Sequence, residues 1–368
     1  METIEQNNSA TGSVPEEQPE RQEPVTNPLP PNITNKFEIT QPTEPKPHQV
    51  FWKGTIKNTN QKVNIQRLEG AFSSPSSAQK AYRTIKLLKH LKGTPSIAKL
   101  LEVIKPSDPE SKDLYLVFEG EQGRLRQAVK FLFLQDVHNS YITFALCNVL
   151  KHLHSVGIIC RNLSTRRLFV NSDCFIKLFS FDNSFTLQSL KDHPAESYAL
   201  DLSGGDIVGK SNLAPEILLG CPKVGKEVDF WAVGCLLAEL CLRKPLFEVE
   251  QGESQLKKIM EVVGKPTEEE FQAMDLGVDY SLISDIEVEE GGTFEEKVGD
   301  LSSPNALDFV KKCLVFDPSK RITAGRALEH PFLAAFNKGD KPAKLEIPDT
   351  KQATVEEYKQ ALLEDISQ

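Results

Sequence analysis

The feature that most restricts the fold is a change of apolar periodicity near Gly120. Before it, from Phe37, the chain runs in short apolar and β-branched pieces: FEIT, VFWKGTIK, KVNIQRL, KLLEVI and DLYLVFE. Proline, Asn-Thr-Asn and Lys-Gly signals separate them, so they predict strands of an antiparallel sheet. One stretch differs. SSAQKAYRTIKLLKHLK spaces Ala81, Ile85, Leu88 and Leu91 three to four apart behind a Ser-Pro start, which predicts an amphipathic helix packed on that sheet. After Gly120 the spacing is mainly helical, longest in SYITFALCNVLKHLHSVG and VDFWAVGCLLAELCL, with RLFVN and FIKLFSF predicting a short hairpin between them. This order implies an α+β chain: a small β-rich lobe, then a larger helical lobe.

At 368 residues, 39% of them hydrophobic, the chain has enough material for about two compact units and a tail. A net charge of -9 argues against nucleic acid as the main partner, because a phosphate backbone needs a basic face. The longest mostly apolar run, Phe230 to Leu242, is 13 residues long and too short to span a bilayer, so no membrane helix is expected. The opening METIEQNNSATG has neither a basic start nor an apolar stretch, so no secretory signal is read there and the expected location is the cytoplasm, with access to the nucleus. The seven cysteines are scattered without a Cys-x-x-Cys pair, as expected of reduced, buried thiols, and the sequons at Asn7 and Asn32 then carry no meaning. Residues 1–35, rich in Glu, Gln, Asn, Thr and Pro, are expected to form a disordered tail, with Pro28-Leu29-Pro30-Pro31 favouring polyproline II.

Three later segments carry a family resemblance. Ala214-Pro215-Glu216 is followed by ILLG, then VDFWAVGCLLAELCLRKPLF, then LVFDPSKRITAGRALEHPFL. In this order and spacing they resemble the end of the activation segment and the last helices of cyclin-dependent and mitogen-activated protein kinases. AQKAYRTIKLLKHLK, HLHSVGIICRNLSTRRLFVNSDCFIKLF and TVEEYKQALLEDI resemble the mitogen-activated group most. The resemblance implies a two-lobed protein kinase fold, with the N-lobe over 36–118, the C-lobe over 119–335 and a C-terminal extension, 336–368, that packs back on the lobes. It also implies two structural features. Glu216 and Arg321 match an ion pair tying the activation segment to the late helices, and Asp229 matches the residue that holds the catalytic-loop backbone.

Phosphoryl transfer depends on positioning the nucleotide and neutralising its charge. At each position where the family does this, the chain departs from the pattern. The glycine-rich loop reads TQPTEPKPHQ, with three prolines and no glycine. Proline has no N–H to offer a phosphate. The phosphate-binding Lys of Val-Ala-Ile-Lys is Gln66, and its Glu partner falls on Thr84. His-Arg-Asp is Cys160-Arg161-Asn162, so the carboxylate that would act as base is an amide. The following Lys is Ser164. The metal-binding Asn is Arg167, whose charge repels Mg²⁺, and the metal-binding Asp of Asp-Phe-Gly is Ser180. Asp182 as a substitute ligand sits two residues along, about 6–7 Å away in an extended chain.

The matching nucleotide pocket consists of Val50, Asn64, Phe118, Glu119 and Phe169, with a polar group and a larger ring entering the slot for a purine. Phe169 and Phe181 are expected to fill core space, leaving the pocket collapsed or apolar. The expected cofactor set is therefore empty, with ATP and Mg²⁺ binding weak or absent and no metal site. The Thr-x-Tyr switch before Ala214 falls on Gly204-Gly205-Asp206, the Arg before Ala-Pro-Glu is Leu213, and Asn337-Lys338-Gly339-Asp340-Lys341 stands at the acidic docking patch. Thr186, Ser197 and Tyr198 remain as hydroxyls of the long loop.

The expectation is a catalytically inactive pseudokinase like the mitogen-activated kinases, a scaffold or allosteric partner of kinases or their substrates. The alternative is a kinase with weak residual Ser/Thr transfer that holds nucleotide without metal through Arg161, Arg166 or Arg167. A third reading is a diverging chain with no fixed partner.

Overall fold

The computed structural model describes residues 29–42, 51–120, 123–131, 134–161, 163–186, 211–222, 224–249, 254–288, 294–299, 301, 303–337 and 354–360. The apolar pieces of the first lobe form β1 (Phe37–Pro42), β2 (Phe51–Ile56), β3 (Lys62–Leu68), β4 (Leu100–Ile104) and β5 (Leu114–Glu119). They make one antiparallel sheet in the order β1-β2-β3-β5-β4. Because strand side chains alternate, Trp52, Val63, Ile65, Tyr115 and Val117 build an outer apolar cluster. The opposite parity carries Phe51, Asn64, Gln66, Leu116 and Phe118, all buried, on the inner face toward the second lobe.

The outer cluster is covered by α1 (Pro31–Lys36), with Ile33 wholly buried and Leu29 packed beside it. This corrects the expected tail boundary at residue 35. Proline at the first helical position fits the helix start, and burial of Ile33 against Phe37 and Trp52 supplies what so short a polar segment lacks alone. Tail residues 1–28 lie outside the described residues. On the inner side lies α2 (Pro75–His90), capped by the Ser74 side chain accepting from Ser77 N at 3.1 Å. Ala78, Ala81, Ile85 and Leu88 form its buried face.

The second lobe begins with β6 (Gly123–Arg124), α3 (Leu125–Phe131) and α4 (Asp136–Ser155). β7 (Ile158–Ile159), β8 (Leu168–Val170), β9 (Ile176–Leu178) and β10 (Phe185–Thr186) follow, with β8 and β9 forming the expected hairpin. Next come α5 (Pro215–Leu218), α6 (Glu227–Leu242), α7 (Gln255–Val263), α8 (Glu268–Ala273), α9 (Ser281–Ser284), α10 (Phe294–Val298), α11 (Pro304–Cys313) and α12 (Ala324–Leu328). Helix α6 is apolar on every side, and each residue from Val228 to Leu240 is buried, as expected of a central helix. It admits α11 closely at Gly234, where a Cβ would stand 2.6 Å from the Cys313 Cβ.

Residues 355–360 are helical, and Tyr358 returns to the first lobe with its ring 5.3 Å from that of Tyr82 on α2. Among the described residues no helix is long and apolar enough to cross a membrane. The architecture is the two-lobed α+β arrangement expected from the sequence.

Candidate functional site

The cleft between the lobes is roofed by the inner face of the sheet and floored by the β8–β9 hairpin. Four phenyl rings meet there. Phe51 comes from β2, Phe118 from β5, Phe169 from β8, and Phe179 from the residue after β9. Phe169 and Phe179 stack at 4.2 Å, and Phe51 meets them edge-on at 5.7 and 5.0 Å. Phe118 completes the set at 6.3 Å from Phe169 and 6.2 Å from Phe179. The Arg124 guanidinium lies over Phe51, 4.2 Å from its centroid. All four rings are at most 2% exposed, and each such pair contributes about 0.5–1.5 kcal/mol beyond the area it buries. Phe181 is wholly buried as well, apart from this cluster of ring contacts.

Three polar side chains around the rings, Asn64, Gln66 and Thr84, are buried. Asn64 pairs across the sheet with Phe118, and its amide donates to the Gly120 carbonyl at 3.4 Å. The Gly120 N–H donates to Lys62 O at 3.0 Å, so both backbone polar groups of Gly120 are used. Glu119 turns outward to Lys99 at 2.9 Å. Gln66 is 1% exposed between its strand partners Phe51 and Leu116, and Thr84 is 3% exposed on α2. Among the described residues neither the Gln66 Oε1 nor the Thr84 Oγ1 has a hydrogen-bond partner. Where a Lys–Glu pair would place opposite charges, two neutral groups are buried.

The hairpin register decides the rest of the cleft. Leu168 pairs with Leu178, so Arg167 and Ser180 flank the same end of the ladder. The Arg167 Nη1 donates to Ser180 Oγ at 2.8 Å and also to Asp182 Oδ1, and Ser180 Oγ donates to the same carboxylate oxygen at 2.8 Å. Burial works to raise the Asp182 carboxyl, but the Arg167 charge and the hydrogen bonds from Arg167 and Ser180 outweigh it, holding it below its ordinary value. Asp182, the carboxylate beside Ser180, is paired with a guanidinium. Magnesium takes oxygen ligands in near-octahedral array, and this set does not fit it. Among the described residues no cluster of three His, Cys, Asp or Glu side chains suits a metal ion. Ser164 is buried beneath this turn, its carbonyl accepting from Arg167 N at 3.0 Å.

Behind the cleft the frame is tightly bonded. Asp229, wholly buried on α6, accepts from Cys160 N at 2.9 Å and Arg161 N at 2.7 Å, and pairs with His154 Nε2 at 2.7 Å. These bonds hold Arg161 at a φ of 65°, a conformation non-glycine residues enter at a cost. Arg321 grips Glu216 with both terminal nitrogens, at 2.5 and 2.7 Å. It also donates to Val315 O and Phe316 O and lies over the Trp231 ring at 5.0 Å. Val50, the rest of the proline-bearing loop (43–49), Asn162, Gly204-Gly205-Asp206 and Lys338–Lys341 lie outside the described residues.

Reading the sequence alone missed Phe51 and Phe179. Strand parity would have sent Phe51 inward with Gln66, and Phe179 stands beside Ser180. The pairing of Arg167 with Asp182 was missed too, because the hairpin register sets it and neither position alone does.

The protein kinase domain family matches residues 49–333. Extracellular signal-regulated kinase 2 of Dictyostelium discoideum is 32% identical over 341 residues, covering 91% of this chain and 91% of that protein. Mitogen-activated protein kinase 7 of Arabidopsis thaliana is 33% identical over 313 residues, 84% of this chain and 82% of its own. Mitogen-activated protein kinase 15 of Xenopus laevis is 30% identical over 342 residues, which are 91% of this chain and 57% of that longer protein. On the matched domain, these identities and their coverage, the chain belongs to the protein kinase family, in its mitogen-activated protein kinase group.

Proposed function

We propose that this chain is a catalytically inactive member of its family that works by binding other proteins, as a scaffold or allosteric partner in kinase signalling. The observation that carries the reading is the closed Arg167–Ser180–Asp182 set, which puts a guanidinium where transfer needs Mg²⁺. The stacked rings of Phe51, Phe118, Phe169 and Phe179 support it, since they fill the slot a purine would need. So does Gln66, a neutral amide at the position of the phosphate-binding ammonium. Removing one well-placed electrostatic group commonly costs about 10²–10³ in rate, and several are gone together. The intact Asp229 and Glu216–Arg321 networks favour a protein retained for its shape.

Holding nucleotide without metal would need free guanidinium groups. Arg167 is committed to Asp182, and Arg161 is 2% exposed and stacked on Phe185. We place the protein in the cytoplasm with access to the nucleus, its partners among kinases and their substrates. The test is a thermal-shift titration with ATP, with and without Mg²⁺ or Mn²⁺. A ligand at a hundred times its Kd stabilises a fold by about 2.7 kcal/mol, so a saturable rise in Tm at millimolar ATP would overturn the reading. The expected result is no dose-dependent shift.

A further inference from the structure

Helix α1 lies against the outer face of the first-lobe sheet and is fastened at two places. At β4, Asn32 Nδ2 donates to Lys105 O at 2.8 Å, and Lys36 Nζ donates to both Glu102 carboxylate oxygens at 2.7 and 2.6 Å. At the turn after β2, Lys57 Nζ donates to Thr34 O at 2.8 Å and Lys57 N to Lys36 O at 3.2 Å. Ile33, with no exposed surface, belongs to the same apolar cluster as Trp52, Tyr115 and Val117, with Leu29 four residues before it and Phe37 four residues after. A helix of six residues is unstable alone, so this floor is what orders the strap. The floor has two sides. Side chains alternate along a strand, so Trp52 beneath the strap is the neighbour of Phe51 on β2, and Val117 is the neighbour of Phe118 on β5. Both roof rings of the cleft therefore stand on the two strands that carry the strap. Those strands cannot rise from Phe169 and Phe179 without pushing against it, because packed layers resist such displacement.

We propose that the strap of residues 29–36 is the outer jaw of a clamp: bearing on β2 and β5, it keeps Phe51 and Phe118 seated on Phe169 and Phe179, and its release loosens the cleft. This rests on the reading of the cleft as filled by its rings and adds how that packing is controlled. Control comes from the opposite face of the sheet, through a segment that precedes the family domain. A partner that drew Leu29 and Ile33 off the sheet would unseat the rings without touching the cleft.

Ile33 and Phe169 belong to separate apolar clusters on opposite faces of the sheet. Sites without shared partners act independently, and coupled ones do not. Hydrogen exchange of the full chain, read by mass spectrometry, follows the β8–β9 hairpin, which lies across the sheet from the strap. In Ile33→Ala the hairpin amides should exchange faster than in the wild type by a factor about tenfold larger than any change in α6. Ile33→Val, which keeps most of the side chain, should restore protection, and a chain beginning at Leu29 should match the wild type. Wild-type exchange of the hairpin in Ile33→Ala would show that the strap covers the sheet without holding the rings, and would overturn the clamp. Equal speeding of α6 would make the effect a general loss of stability and overturn it as well. Leu29→Ala, at the partly buried end of the strap, is a milder variant that serves where Ile33→Ala does not fold. Combined with Phe169→Leu in urea melts, it should change the unfolding constant less than the product of the two single effects, by about threefold or more. A simple product would overturn the clamp. These failures leave the inactive-kinase reading in place, since nucleotide binding decides that reading and coupling across the sheet decides this one.

Discussion

Replacing Arg167 by methionine keeps much of the side chain's bulk and deletes its charge. In the folded chain its guanidinium donates to Ser180 Oγ at 2.8 Å and, as an ion pair, to Asp182 Oδ1. A hydrogen bond to a charged group contributes about 1.5–3 kcal/mol and a neutral one about 0.5–1.5 kcal/mol. The side chains are 16% and 28% exposed, so solvent screening places the combined loss near the lower end, about 2 kcal/mol. Asp182 keeps the Ser180 hydroxyl at 2.8 Å. The pH dependence carries a definite sign. Despite burial, Arg167 and Ser180 hold the Asp182 carboxyl below 3.8, its ordinary value. A carboxyl depressed in the folded state stabilises the fold above its unfolded pKa, and that stability is lost as pH falls through the folded value. Without Arg167, burial dominates and the depression goes. Urea melts followed by circular dichroism at pH 7, 5 and 3 would read this. With a slope of about 3–4 kcal/mol/M, the Arg167→Met midpoint should lie about 0.5–0.7 M below wild type at pH 7. The gap should narrow toward pH 3. Equal midpoints at pH 7, or a gap constant down to pH 3, would refute the ion pair.

Arg321→Ala strands the Glu216 carboxylate, 1% exposed, in the core, and should cost about 3–5 kcal/mol in a urea melt; an unchanged midpoint would mean the pair is not formed. Phe179→Ala removes the ring that stacks on Phe169 at 4.2 Å, and calorimetry should show a loss of about 3–5 kcal/mol. A loss well under 1 kcal/mol would mean that the rings do not fill the cleft. Gly234→Ala forces a Cβ to within 2.6 Å of the Cys313 Cβ and should destabilise by about 1–3 kcal/mol, read from the thermal midpoint.

The two-lobed plan was legible because its signals are local. Short apolar and β-branched pieces between turn signals predict the five strands, and the Ser74-Pro75 start with Ala81, Ile85 and Leu88 in register predicts α2. Helix α1 was not legible, since what orders Pro31–Lys36 is the outer face of a sheet formed by later residues. The cleft divides the same way. Substitutions at Gln66, Thr84, Arg167 and Ser180 could be read one position at a time against a family pattern. The contacts made in their place could not. The four-ring cluster joins Phe51, Phe118, Phe169 and Phe179 across three strands and a turn, and Arg167 meets Asp182 because Leu168 pairs with Leu178. Such partners are set by register and tertiary approach, which no single window of sequence encodes.

Phosphate transfer itself tests the central claim most directly. Purified full-length protein should be incubated with γ-labelled ATP, Mg²⁺ or Mn²⁺ and a general protein substrate, beside an active family member as reference. Kinases turn over at about 1–100 s⁻¹. With Arg167 paired to Asp182 and four phenyl rings packed together in the cleft, incorporation on the proposed reading should stay at the level of a blank without enzyme. Metal-dependent labelling that scales with this protein's concentration and approaches the reference rate would contradict the account.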